Sequence, residues 1–249
     1  MKGKIALERG GYGYGAGALV LQAMLLTGCD SEPTPAPAPS PVQANAAVAA
    51  QPSPAPVAGE ERLVLAFGDS LYAGYGLQRG QSLPDAVQAR LRADGINAKI
   101  VNAGVSGDTT AAGRQRLTFS LNNLPRKPDL VLLGLGGNDV LRQISPAETR
   151  ANLVAMLDEL KKRSIPVMLT GMVAPPNLGP DFAAQFNRIW PDLAAQYGAA
   201  LYPFILDGVI GNPALMQRDR VHPTAQGVAK IADKVAPLVA ERLERLERD

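Results

Sequence analysis

Along the chain, short and almost wholly apolar runs alternate with longer stretches whose apolar residues recur every three or four positions. Residues 62–67 (RLVLAF) form such a run, closed by Gly68. Residues 98–102, 129–135 (DLVLLGL), 166–170 and 201–204 repeat the pattern. Continuous apolarity over so few residues predicts strands buried on both faces. Residues 83–92, 109–121, 146–163 and 181–197 carry helical spacing instead. Leu153, Met156, Leu157 and Leu160 make one inner stripe, with Pro146 suited to the first turn of its helix. Phe182, Phe186, Ile189, Trp190 and Leu193 make another, read as core rather than as a ligand platform. Thr109 or Asp108 fits the cap of the second helix. A last helix is expected over residues 225–246, broken or kinked at Pro237.

Strand–helix alternation of this kind predicts an α/β fold, a parallel sheet of five strands covered by helices on both faces. In open α/β sheets, ligands bind beyond the carboxyl ends of the strands. The residues just after each strand are therefore where chemistry is expected.

The pattern stops before residue 61, and the composition changes with it. Lys2, Lys4 and Arg9, with one acid, Glu8, precede an apolar stretch over residues 15–28. That stretch is short of the ~20 residues that cross a bilayer but suits a signal-peptide core. Cys29, the only cysteine, follows it directly in Leu26-Thr27-Gly28-Cys29. Residues 30–60 then hold eight prolines and nine alanines. Such a segment cannot bury enough surface to offset its ordering entropy. It fits an extended spacer with a reach of about 90 Å, and equally a tail with no spacing role. The organisation expected is a signal peptide (1–28), a Pro/Ala-rich tether (29–60) and one α/β domain (61–249).

Charge and rare residues narrow the chemistry. The chain carries 25 basic and 23 acidic residues. Residues 1–28 hold three of the bases and one of the acids, so the remainder balances at 22 against 22. A nucleic-acid partner, which calls for a basic stripe, is not expected. One cysteine excludes an internal disulfide framework, and one histidine excludes a two-histidine metal site.

Four blocks stand at or near the expected strand ends: Gly68-Asp69-Ser70-Leu71, Asn102 through Asp108, Gly134 through Asp139, and Asp219-Arg220-Val221-His222-Pro223. A serine is a weak nucleophile without a base in hydrogen-bond reach. His222 is the only histidine, and Asp219, three residues earlier, is placed to orient its ring and stabilise an imidazolium. Taken singly, each residue also has an ordinary structural role. Ser70 and His222 fit helix caps, Gly104 and Gly137 tight turns, and Asn138 a left-handed turn position.

Together and in this order, the blocks resemble those of the SGNH (GDSL) hydrolase family, with Ser70, Gly104, Asn138 and His222 as the four lettered residues. GDSLYAGYGL, NAGVSGDTT, LGGNDVLR and Asp-x-x-His-Pro are most similar to the bacterial thioesterase I, arylesterase and lysophospholipase subgroup. The resemblance covers residues 62–240 and implies a three-layer α/β/α sandwich of flavodoxin type. It implies a serine esterase acting on small acyl esters, and on thioesters or lysophospholipids, with neither metal nor cofactor. Ser70 would be the nucleophile, His222 the general base and then acid, and Asp219 its orienting partner. The Ser70 and Gly104 N–H groups and the Asn138 amide would form the oxyanion hole, and Asp69 would hold the turn. In thioesterase-like members two loops border the acyl group, which here implies an open groove with Leu141 and Leu178 on its walls. Leu26-Thr27-Gly28-Cys29 resembles the bacterial lipoprotein box. It implies lipidation at Cys29 and a membrane anchor facing the periplasm, with Asp30 favouring the inner membrane. Two other functions fit the residues less well. A carbohydrate acetylesterase lacks an aromatic sugar platform here, and a non-catalytic envelope-binding lipoprotein does not need Ser70, Asn138, Asp219 and His222 intact.

Overall fold

The structure is a computed structural model that describes residues 57–248. The expected signal peptide, Cys29 and all of the expected tether except residues 57–60 lie outside the described residues. In chain order the elements are β1 (Arg62–Gly68), α1 (Ser70–Ala73), α2 (Leu83–Ala93), β2 (Ala98–Gly104), α3 (Thr110–Asn122), β3 (Leu130–Gly134), α4 (Gly137–Leu141), α5 (Pro146–Lys162) and β4 (Val167–Thr170). A 3-10 turn (Pro176–Leu178) follows, then α6 (Pro180–Asn187), α7 (Ile189–Tyr197), β5 (Ala200–Tyr202) and α8 (Ala225–Arg248).

The five strands form one sheet in the order β2-β1-β3-β4-β5, and every neighbouring pair is parallel. Alternate residues of each strand feed two cores. Val64, Ala66, Leu130, Leu132 and Met168 pack with α2 and α8. Leu65, Phe67, Val131, Leu133 and Leu169 pack on the other face with α3, α5 and α7. This is the expected three-layer sandwich, and it explains why the strands read as continuous apolar runs.

The chain steps from β1 outward to β2, then returns past β1 to lay down β3. That reversal is the topological switch point, where open α/β sheets leave a crevice at their carboxyl edge. The register brings the three strand ends to one level: Gly68 lies opposite both Gly104 and Gly134. The first three blocks of the sequence thus emerge side by side.

The helix starts follow local chemistry. Ser82 and Asp85 form a capping box on α2. Thr109, not Asp108, caps α3 by accepting from the Ala112 N–H. Two expectations need correction. The helix expected over residues 181–197 is two helices, α6 and α7, meeting at Arg188. Pro191 is the cause: it has no N–H for the Asn187 carbonyl, four residues back, and its ring crowds that carbonyl. Pro237, in contrast, does not break its helix: of the break or kink expected there, the break is absent, and α8 runs on through it. Val228, Ile231, Ala232, Val235, Ala236, Val239 and Leu243 are all buried along that helix. At ~1.5–3 kcal/mol for each large side chain, their burial outweighs the ~3 kcal/mol an internal proline costs. Among the described residues, no helix is long and apolar enough to cross a membrane.

Candidate active site

The chain leaves β1 at Gly68 and turns at once into α1. Asp69 caps that short helix, its Oδ1 accepting from the Leu71 N–H at 3.0 Å. Ser70 is the first helical residue, so its own N–H has no carbonyl one turn earlier to bond. Its Oγ lies 2.8 Å from His222 Nε2, and His222 Nδ1 lies 2.7 Å from Asp219 Oδ2. The other Asp219 oxygen accepts from the Val221 and His222 N–H groups at 2.9 and 3.0 Å. Burial works to raise the Asp219 pKa. The His222 N–H, the His222 ring and the Val221 N–H outweigh it and hold the carboxyl at about 2. An ionised carboxylate only accepts, so Nδ1 carries the ring hydrogen and Nε2 offers its lone pair to the Ser70 hydroxyl.

The loop carrying His222 is tied to the segment that follows Ser70. The Gln217 N–H donates to the His222 carbonyl at 2.7 Å. Gln217 Nε2 donates to the Tyr75 carbonyl at 2.8 Å and to the Pro223 carbonyl at 2.9 Å. The Tyr75 ring lies over the imidazole, centroids 4.5 Å apart and tilted by 35°. Arg220, between Asp219 and Val221, sits in the left-handed region with φ 59°, a strained conformation for an arginine.

Beyond β3, Gly136 adopts φ +116°, and a Cβ there would strike Trp190. The turn launches α4, which carries Asn138 and Asp139. Asn138 Nδ2 donates to the Asp108 carbonyl at 2.9 Å, which leaves the second amide hydrogen for a ligand. Asp139 is fully buried and anchors α4, accepting from the Thr110 N–H at 2.8 Å and from the Thr149 hydroxyl at 3.3 Å. Beyond β2, the Gly104 N–H already has a partner, donating to Asn102 Oδ1 at 2.9 Å. A ligand oxygen there must share that hydrogen or displace Asn102. A Cβ at Gly104 would meet the Ala73 nitrogen at 2.3 Å, so the packing of α1 against β2 demands glycine. Asp69 is buried beside these groups, and burial pushes its carboxyl up to about 6.

This arrangement can add a serine oxygen to a carbonyl and hold the resulting anion. Residues 66–230 match the GDSL-like lipase/acylhydrolase family. The chain belongs to that family. It is 39% identical to esterase TesA of Pseudomonas aeruginosa over 174 residues, 70% of this chain and 86% of that protein. It is 34% identical to thioesterase 1/protease 1/lysophospholipase L1 of Escherichia coli over 173 residues, 70% of this chain and 81% of that protein. Among solved structures it is similar to AlinE4, an SGNH-hydrolase family esterase, with 54% identity and a TM-score of 0.64. That match covers 74% of this chain and 97% of AlinE4.

In this GDSL hydrolase the structure joins Ser70, Asp219 and His222 through hydrogen bonds and sets Gly104 at the end of β2 and Asn138 on α4, just past β3. The two leucines expected at the groove differ. Leu141 closes α4 and is 59% exposed, whereas Leu178 is half-buried against the core that holds Trp190. Val140, next to Leu141, is buried in that core too. Val105 and Val173, just past β2 and β4, are exposed instead. Two residues that touch these groups carry no signal in the sequence: Tyr75, over the His222 ring, and Arg116, which donates to the Gly68 and Ala103 carbonyls. Nothing in the spacing separates Arg116 from Arg114 on the same helix, and Tyr75 reads as a loop residue.

Proposed function

We propose that this chain is a serine esterase whose acyl-enzyme forms on Ser70. The observation that carries the reading is the unbroken line Ser70 Oγ, His222 Nε2, His222 Nδ1, Asp219 Oδ2, with Asp219 held ionised at its end. His222 takes the Ser70 proton as Oγ attacks the ester carbonyl. Negative charge then grows on the carbonyl oxygen, and the Ser70 N–H, the Gly104 N–H and the free Asn138 amide hydrogen are the donors assigned to it. One such donor is worth ~3–4 kcal/mol in comparable enzymes. The imidazolium returns its proton to the departing alcohol. Water, activated by the same histidine, then cleaves the acyl-enzyme.

Thioesters and lysophospholipids extend the proposed substrate range, supported by the name of the Escherichia coli relative. Lipidation at Cys29 and anchoring in the bacterial envelope, facing the periplasm, are further proposals. They rest on the basic start, the apolar stretch and the Leu26-Thr27-Gly28-Cys29 sequence. The deciding experiment is hydrolysis of a series of p-nitrophenyl esters and acyl thioesters by the purified protein and by Ser70→Ala. Ester hydrolysis lost in the folded Ser70→Ala protein supports the reading, and hydrolysis retained there refutes it. Labelled fatty acid entering the wild-type chain but not Cys29→Ser supports the anchor.

A further inference from the structure

Arg116 projects from α3 to the ends of β1 and β2. Its side chain is 20% exposed and its guanidinium lies over the Phe67 ring, 3.9 Å from the centroid. Three of its nitrogens are used. Nε pairs with Asp108 Oδ2 at 2.5 Å, Nη1 donates to the Ala103 carbonyl at 2.8 Å, and Nη2 donates to the Gly68 carbonyl at 2.8 Å. Each partner stands next to the site. The Ala103 carbonyl and the Gly104 N–H belong to one planar peptide, so holding the oxygen fixes where the N–H points. The Asp108 carbonyl is the acceptor that orients the Asn138 amide.

We propose that Arg116 is a positioning residue of the hydrolysis: it sets the Gly104 N–H through the shared peptide and the Asn138 amide through Asp108. The inference rests on the assignment of those two groups as oxyanion donors. Arg116 touches no reacting atom. It holds two donors from behind, so that little reorganisation is needed when charge appears on the substrate oxygen. Donation to the Ala103 carbonyl also polarises its peptide and strengthens the Gly104 N–H as a donor. Only a planar fork meets three acceptors in three directions at once, and a lysine ammonium carries the charge without that geometry.

The test compares wild type with Arg116→Met, which keeps bulk over Phe67, and Arg116→Lys, which keeps the charge. Two quantities are read: kcat and KM on a p-nitrophenyl ester, and Ki for an alkylboronic acid, whose tetrahedral adduct on Ser70 directs an oxygen at the donors. Arg116→Met, folded by circular dichroism, should lose about 10–100-fold in kcat with KM changed less than about threefold. Its boronate Ki should weaken by the same factor as kcat/KM, with Arg116→Lys in between. A kcat within twofold of wild type overturns the inference. So does a fall in kcat with the boronate Ki unmoved, because a merely structural arginine would give that result. If the methionine variant does not fold, the lysine variant decides by the same ratio. Wild-type hydrolysis that survives in Ser70→Ala would instead bring down the underlying reading. Ser70-dependent hydrolysis indifferent to Arg116 brings down this inference alone.

Discussion

Ser70 Oγ and His222 Nε2 lie 2.8 Å apart across 152 positions of sequence. That contact depends on a local device as well as on the fold, because Gln217 fastens the His222 loop to the Tyr75 carbonyl, five residues after Ser70. Ser70→Ala and His222→Ala should each abolish nearly all turnover, and the double variant should be scarcely worse than either. The three rate constants, measured on proteins with equal Tm, check this. Additive losses would mean that the two residues do not act as one unit.

Asp219→Asn separates orientation from attachment. The Asn oxygen can still accept the Val221 and His222 backbone N–H groups, so the loop should stay in place. The amide reverses the donor logic at Nδ1 and favours the wrong ring tautomer, which costs about 10⁴ in kcat in a comparable triad. Asp219 is held at about 2, so it stays ionised wherever the enzyme is assayed above about pH 4. A near-wild-type kcat in folded Asp219→Asn would contradict this assignment.

Asn138→Ala should act on kcat. As a proposed oxyanion donor the Asn138 amide would meet charge that exists only in the transition state, so a loss of about 10²–10³ in kcat with little change in KM is expected. A change confined to KM would move Asn138 to ground-state binding.

Asp69 ties the site to stability through pH. Burial raises its carboxyl to about 6 in the folded protein, against 3.8 for the exposed group. Between these values the folded protein holds a proton that the unfolded chain has released. Stability from this group is therefore full below about pH 4 and falls as pH rises through 6. The change is on the order of 3 kcal/mol. Asp69→Asn keeps an oxygen for the Leu71 N–H and has no proton to lose. Urea unfolding at pH 4.5 and 7.5 should show wild type losing stability relative to the variant as pH rises. Parallel pH dependences would refute the argument.

Much of this was legible in the sequence, for reasons that differ by element. The strands were readable because both faces are buried, as Leu63 through Phe67 show. The catalytic blocks were readable because parallel strands deliver their next residues to one edge, and a single histidine left no choice of base. The helices α1 and α4 were not, since four or five residues give no periodicity. Arg116 was not, because its role depends on which carbonyls lie beneath it. Pro191 and Pro237 show the limit of local rules: each should interrupt a helix, and only burial along α8 decides that one does not.

Surface exposure sharpens the prediction for the expected acyl groove. Leu141 and Val173 expose 59% and 39% of their surface, while Leu178 leans on the core around Trp190. A buried methylene is worth ~0.8 kcal/mol, and an open surface captures only part of it, so kcat/KM should rise modestly over the first few acyl carbons and then level off. Leu141→Ser should flatten that rise and leave both acetyl ester hydrolysis and Tm nearly unchanged, since the side chain supports little of the fold. Leu178→Ser should lower Tm as well, because it removes contacts from a packed core. The pair is checked by Tm together with kcat/KM on esters from acetyl to dodecanoyl. If Leu141→Ser keeps the wild-type chain-length profile, the acyl chain does not run past α4. If Leu178→Ser flattens the profile with no loss of Tm, its side chain serves the groove rather than the core.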